Sequence, residues 1–255
     1  MRAIALMCHA PIVIPAIGRA RAADCATTTA AMRRVARAVV DTGPEVLVVL
    51  SPHTPRDRHR WGLVDGEQLE GTFARFGCPE VGLALPNAAP AVRDALGDLP
   101  LAPVAAQPLD HGALVPLWFL VEAGWSGPTA VLGVPWNNRD ASAIGERLRS
   151  RVPWGLVASG DMSHRLQPGA PAGFDPRAHT FDEGFVRSLR EGDLLGAVSV
   201  ARELRERAAE DVVDTTEVLL GALGPTVPND PVLAYEGPFG VGYCEALFVP
   251  AVAHA

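Results

Sequence analysis

The sequence predicts an α/β fold, with residues 1–255 forming a single domain in which helices flank both faces of a mostly parallel or mixed central sheet. Short, largely apolar segments such as "EVLVVLS" and "WGLVAS" have the length and composition of buried strands. Amphipathic segments with helical periodicity lie between these strands. A chain of 255 residues, of which 48% are hydrophobic, is long enough to enclose such a core.

The first part of the chain sets up this alternation. A first strand is predicted in "RAIALMCH" and ends at His9, where a proline-stiffened loop begins. Asp24 is expected to cap a helix with regularly spaced apolar residues, and Gly43 is expected to end it. "EVLVVLSPH" is the second strand and runs into His53. The glycine-punctuated stretch 60–77 is predicted to be an excursion of short strands.

The same alternation continues to the C-terminus. A helix at 89–96 leads to a strand at 101–105, and "DHGALVPLWFLVEAG" is predicted to be a loop that feeds a buried helix. "TAVLGV" is the next strand, and Asp140 is expected to cap the helix after it. "WGLVASGDMSH" is again a strand that runs into a loop, and 175–223 has a helical pattern. Two strands around the Gly-Pro break in "VLAYEGPFGVGYCEALFV" complete the sheet.

Composition and charge argue against several classes of protein. His9, Pro11 and Pro15 interrupt the N-terminal apolar run, which favours a strand and loop over a secretory signal. No segment reaches the roughly 20 apolar residues of a membrane span. The formal net charge of −7, with arginine as the basic residue throughout, argues against a nucleic-acid partner. The four cysteines form no CxxC pair, so we expect neither a zinc ribbon nor a disulfide framework. This use of cysteine favours a cytoplasmic location.

Four histidines follow predicted strands. His9 and His53 end the first two strands, His111 follows the strand near 105, and His164 follows "GLVAS". Ligands of such sheets bind at the carboxyl ends of the strands, so we expect these four side chains to share one site. The other histidines lack this placement and are interpreted as lying outside the site: His59, His179 and His254.

The histidines suggest a metal centre. Neutral imidazole is a common metal ligand whose second nitrogen needs support, and Asp110 and Asp161 are candidates for that role. Glu236 ends another apolar strand and could bring a carboxylate to the same edge. Two histidines and one carboxylate suit non-haem iron(II) and oxygen chemistry, whereas three ligands and a water suit a hydrolytic zinc. Spacing alone does not choose between the two metals.

Five ordered blocks add a family resemblance: "CHAP", "SPHTP", "DHGALVPL", "SGDMSH" and "YEGPFGVGY". Together they resemble the class III extradiol ring-cleavage dioxygenases, whose catalytic subunits are LigB-like. The resemblance implies that His9, His53 and Glu236 bind iron(II), with zinc or manganese as alternative metals. It also implies that His164 is the catalytic acid/base and His111 a second catalytic histidine. The expected reaction is extradiol cleavage of a catecholic substrate by O2, in a homo-oligomer or with a small partner subunit.

Two other functions stay open at this point. The fold also resembles the Memo proteins, which implies a metal-binding or regulatory protein without ring cleavage. Their metal sites include a cysteine near the last strand, and Cys244 keeps this alternative open. A zinc-dependent hydrolase could use the same ligands. A carboxylated catechol would need a basic partner, and the sequence does not select one among the arginines at 56, 58, 60, 139 and 165.

Overall fold

The computed structural model describes residues 1–105, 108–151, 153–227 and 230–248. In these ranges the strands are β1 (Ala3–Met7), β2 (Val46–Ser51), β3 (Trp61–Val64), β4 (Gln68–Phe73), β5 (Cys78–Pro86), β6 (Leu101–Val104), β7 (Thr129–Gly133), β8 (Trp154–Ser159), β9 (Val232–Glu236) and β10 (Tyr243–Phe248). The helices are α1 (Pro15–Gly18), α2 (Ala26–Asp41), α3 (Ala89–Leu96), α4 (His111–Glu122), α5 (Ala141–Arg149), α6 (Ala178–Arg190), α7 (Leu194–Val198), α8 (Arg202–Ala208) and α9 (Val213–Leu223). Within the same ranges, no helix is both long and apolar enough to cross a membrane.

Eight of these strands form a mixed sheet in the order β6-β3-β7-β2-β8-β1-β10-β9. Its centre, β7-β2-β8-β1, is parallel, as expected for buried apolar strands joined by helices. β3 is antiparallel to β7 on one side, and β10 is antiparallel to β1 on the other. β4 and β5 form a separate antiparallel pair. The carboxyl ends of the four central strands therefore meet at one edge of the sheet.

Hydrophobic layers cover both faces of the sheet. Successive strand residues point to opposite faces, so Leu47 and Val49 of β2 join one layer while Val48 and Leu50 join the other. Helices α2 and α4 supply apolar residues to the first layer, and α5, α6 and α9 supply them to the second. This arrangement confirms the α/β class predicted from the sequence, with helices flanking a mixed sheet.

The structure differs from the predicted elements in three places that matter for the site. β1 ends at Met7, so His9 lies two residues beyond the strand. The stretch 175–223 is divided into four helices, with a break at Ala209, whose φ of 54° lies in the left-handed region. β6 runs parallel to β3 and hence opposite to the central strands, because a short apolar strand does not encode its own direction. β6 therefore runs away from the carboxyl edge of the central strands and ends at Val104, level with the middle of β7.

Candidate metal centre

Three of the four predicted site histidines meet at the carboxyl edge of the central strands. His9 and His53 lie two residues beyond β1 and β2, and His111 is the first residue of α4. The His53 and His111 rings stack with centroids 4.2 Å apart, and His9 approaches them edge-on at 4.7 and 5.3 Å. One nitrogen from each ring can be chosen so that all three lie within 4.8 Å of one another. This is the spacing of groups that can share one ion.

A carboxylate that the sequence analysis did not select joins this cluster. Asp211 Oδ2 lies 3.1 Å from His53 Nε2 and 3.4 Å from His9 Nε2. The two Nε2 atoms are themselves 3.1 Å apart. These three atoms therefore form a nearly equilateral triangle made of two imidazole nitrogens and one carboxylate oxygen.

The backbone break before α9 brings Asp211 to the sheet edge. Ala209 ends α8 in the left-handed conformation, an unfavourable state for a residue with a side chain, and Asp211 follows two residues later. The Asp161 backbone N–H donates to Asp211 Oδ1 at 2.7 Å and fixes the carboxylate. Gly160 allows this approach, since a Cβ there would lie 2.4 Å from the Cα of Val212.

An ion-pair network ties this segment to the His53 loop. Arg56, three residues after His53, donates to Asp214 Oδ2 at 2.5 Å. Arg205 donates to Asp214 Oδ1 at 2.7 Å and also binds Glu210, the residue before Asp211. Because buried charges need partners, these pairs fix the two ligand-bearing loops relative to one another.

Hydrogen bonds fix the tautomer of His9. Ser159 Oγ donates its one proton to the Gly112 carbonyl at 2.6 Å, so the 3.1 Å contact with His9 Nδ1 requires Nδ1–H as the donor. Asp161 Oδ1 accepts the His9 backbone N–H at 2.8 Å. The Nε2 lone pair of neutral His9 therefore faces His53 and Asp211, as a metal ligand requires.

Asp110 fixes the loop that carries His53. Its Oδ1 accepts from Ser51 Oγ and its Oδ2 from Thr54 Oγ1, both at 2.7 Å. Oδ1 also accepts the Ala113 N–H and so caps α4. A glycine is needed at 112, because a Cβ there would lie 2.5 Å from Ser51 Oγ. These contacts bring His111 beside His53, although β6, the strand before it, runs away from the carboxyl edge of the central strands.

The electrostatics of the cluster favour a positive charge at its centre. Burial would lower the pKa of His9, but the carboxylates of Asp161 and Asp211 outweigh burial and raise it to about 9. Burial would raise the pKa of Asp211, but His9 and His53 hold it well below its ordinary value. His111 behaves oppositely, because burial and the neighbouring His9 and His53 lower its pKa to about 3. His111 is therefore neutral at physiological pH, while Asp211 is ionised.

The donor set fits a mononuclear divalent metal. Two ligand atoms bound at right angles to one ion, each about 2.1 Å from it, lie about 3 Å apart. The edges of the His9–His53–Asp211 triangle, 3.1, 3.1 and 3.4 Å, match one face of such an octahedron. A set made of His9, His53 and His111 is the alternative, with larger spacings of up to 4.8 Å.

His164 lies near the candidate metal centre, and one of its ring nitrogens makes a hydrogen bond to the backbone. Its Nδ1 lies 2.8 Å from the Ala209 carbonyl, which only accepts, so Nδ1 carries the proton and Nε2 has a free lone pair. The imidazole of His164 lies near the carboxylate of Asp161. His164 does not line the cavity described below, within the part of the chain that the structure describes.

A cavity of about 730 Å³ opens onto the cluster and is lined by His53, Asp110 and His111. Its walls are largely apolar and include Val64, Val104, Leu109 and Leu114. A volume of this size suits a small organic molecule, and the apolar walls suit an aromatic ring.

Glu236, predicted as the carboxylate ligand, has a different place in the structure. Its Oε1 accepts the Thr28 N–H at 2.8 Å in the first turn of α2. It therefore takes the capping role predicted for Asp24, whereas the residue at the N-cap is Cys25, whose side chain makes no capping bond. The free N–H groups of a helix N-terminus attract a carboxylate. Asp211, whose carboxylate lies beside His9 and His53, is the candidate carboxylate ligand that we carry into the proposal.

Other described residues in or near the predicted motifs lie outside the cluster. Cys244 is fully buried in the core, and burial raises the pKa of its thiol well above the ordinary value. Tyr235, adjacent to Glu236, donates its hydroxyl to Asp182 at 2.8 Å. His59 and His179 are exposed. His254 lies outside the described residues.

Comparisons with known proteins agree with this architecture. Protein CA_C1420 of Clostridium acetobutylicum is 27% identical across 93% of this chain, which spans 55% of that protein's length. The crystal structure of uncharacterized protein JW3007 from Escherichia coli K12 has a similar fold, with a TM-score of 0.61 and 16% identity, covering 97% of this chain and 100% of that one. Residues 3–245 match the family model of the catalytic LigB subunit of aromatic ring-opening dioxygenase. The chain therefore belongs to the LigB family.

Proposed function

We propose that this protein is a non-haem iron(II) dioxygenase that performs extradiol cleavage of a catecholic substrate with O2. The observation that carries the proposal is the triangle of His9 Nε2, His53 Nε2 and Asp211 Oδ2 beside the cavity. Two histidines and one carboxylate on one face of an ion leave the opposite positions open, as iron(II) oxygenases require. Membership of the LigB family supports the same reaction class.

His9, His53 and Asp211 would hold the iron. Iron(II) bound there would supply Lewis-acid and redox chemistry that brings the catechol and dioxygen into reaction. Ser159, Asp161 and the Arg56–Asp214 pair keep the ligand atoms in place.

His164 and His111 have separate roles in the proposal. His164 has a free Nε2 and accepts the proton of a catechol hydroxyl, because its Nδ1–H is held by the Ala209 carbonyl. It later returns that proton as a general acid. His111 stays neutral at working pH and positions the ligands through hydrogen bonds, without adding a positive charge beside the ion.

The test is an oxygen-uptake assay on protein purified and loaded with iron(II) under anaerobic conditions. Addition of a catechol in air-saturated buffer should consume one O2 per substrate and form a coloured, ring-opened semialdehyde. The His53→Ala variant is the control and should bind little iron and consume no oxygen. Absence of oxygen uptake over a broad panel of catechols would contradict the proposal; absence of ester and amide hydrolysis as well would favour a Memo-like metal-binding or regulatory role.

A zinc-dependent hydrolase is the second candidate, because the ligand nitrogens of three histidines lie within 4.8 Å of one another. Three histidines and one water form a known catalytic zinc site. In that case ester or amide hydrolysis would be supported best by zinc and would not need oxygen. The two candidates differ in their third ligand, which is Asp211 for iron and His111 for zinc.

A further inference from the structure

The cavity beside the metal centre has a wall that does not belong to the main sheet. The β4–β5 pair and the short 3₁₀ helix Ala74–Phe76 between its strands form this wall. Thr72, Arg75 and Phe76 line the cavity there. The Phe76 ring lies 5.7 Å from the His111 ring, edge to face, so the wall reaches the histidine cluster directly.

Arg75 is the one permanently positive side chain among the described residues that line this cavity. Within the described ranges its side chain makes no ion pair and no hydrogen bond. Asp110, the acidic residue that lines the cavity, already accepts hydrogen bonds from Ser51, Thr54 and the Ala113 N–H. Arg75 therefore remains available for an anion that enters the cavity.

The arginines that the sequence analysis considered are placed elsewhere. Arg56 binds Asp214 and the Pro135 carbonyl, and Arg60 binds Asp57. None of the arginines at 56, 58, 60, 139 and 165 lines the cavity. Arg75 was not among these candidates, because the sequence does not show that the β4–β5 pair folds over the site.

We propose that Arg75 determines substrate specificity by binding an anionic substituent, such as a carboxylate, on the aromatic ring. The inference rests on the proposed function, in which the two hydroxyls of the catechol bind the metal. The rest of the ring then extends into the apolar cavity, toward the wall that carries Arg75. A guanidinium matches a carboxylate with two parallel hydrogen bonds, so it both attracts the substrate and orients the ring. Arg75 is exposed, so the expected contribution to binding is modest.

The test compares two ligands of similar shape, 3,4-dihydroxybenzoate and 4-methylcatechol, titrated anaerobically into iron-loaded protein. Without oxygen the titration measures binding alone. The wild type should bind the carboxylated ligand about fivefold more tightly or better, which corresponds to the upper range for an exposed ion pair. Arg75→Gln should remove this preference while leaving the affinity for 4-methylcatechol within about twofold. Arg75→Lys should retain part of the preference.

Arg93→Gln is the matched control, because Arg93 lies on α3, is exposed and does not line the cavity, yet the variant has the same net charge. It should retain the wild-type preference. Equal binding of both ligands by the wild type, or an equal loss of preference in Arg93→Gln, would overturn the assignment of Arg75 and leave the metal centre intact. Binding of neither ligand by the wild type would overturn the assignment together with the proposed function.

Discussion

Replacing Asp211 with asparagine removes the negative charge of the proposed ligand triangle while keeping the shape of the side chain. The rise in the His9 pKa from 6.5 to about 9 corresponds to a preference of about 3 kcal/mol for one positive charge at this position. Asp161 and Asp211 are the main sources of that preference. We assign half of this preference to Asp211 and double it, because a divalent ion carries two positive charges. The Asp211→Asn variant should then lose about 3 kcal/mol of binding free energy, or about 100-fold in metal affinity. The true loss should be larger, because the rise in pKa is net of the burial penalty.

The affinity is measured by anaerobic titration of metal-free protein with iron(II), followed calorimetrically. Glu236→Gln is the control, because the amide oxygen can still accept the Thr28 N–H and the variant has the same charge change as Asp211→Asn. It should bind iron like the wild type. Wild-type affinity in Asp211→Asn, together with weak binding in Glu236→Gln, would refute the reasoning and restore Glu236 as the ligand.

Three further predictions follow from the same contacts. His111→Ala should keep iron affinity within about tenfold, because this histidine is not part of the triangle; loss of binding in the same titration would favour the three-histidine set. His164→Gln should retain iron and catechol binding while turnover falls by about 10²–10⁴-fold, measured by oxygen uptake; loss of iron would make His164 a ligand instead. Burial raises the pKa of Asp182 to about 6, so the folded state binds more protons than the unfolded state between pH 4 and 6. Asp182 should therefore contribute a fall of about 3 kcal/mol to the free energy of unfolding as the pH rises through this window, and Asp182→Asn should remove that contribution in urea titrations. Parallel pH profiles for the two proteins would contradict the last prediction.

Much of the fold could be predicted from local pattern. Strand β2 is apolar at every position from Val46 to Leu50, which indicates a strand buried on both faces. The helix predicted at 89–96 is observed as Ala89–Leu96. Strand direction could not be predicted, because the hydrophobic pattern of β3 or β6 is the same for parallel and antiparallel pairing. The break at Ala209 was missed, since alanine is a good helix former and its left-handed conformation is imposed by the surrounding fold.

Only the part of the candidate site that follows the strands of the sheet could be predicted from the sequence. The proximity of His9 and His53 could be predicted because the carboxyl ends of parallel strands share one edge of the sheet. Asp211 follows a helix rather than a strand, so that rule could not select it. Glu236 satisfied the rule, but the N-terminus of α2 offers its carboxylate an alternative partner in the Thr28 N–H. The acidic run "EDVVD" after α8 was the available signal, and it could be interpreted only once the break at Ala209 was known.

The central claim is that this site inserts dioxygen into a catecholic ring, and isotope labelling tests it most directly. Iron-loaded protein is supplied with a catechol and ¹⁸O₂, and the ring-opened product is trapped rapidly and analysed by mass spectrometry. The account predicts a product that contains both labelled oxygen atoms, formed by the wild type and not by Asp211→Asn. A product without label, or label incorporated equally by both proteins, would contradict it.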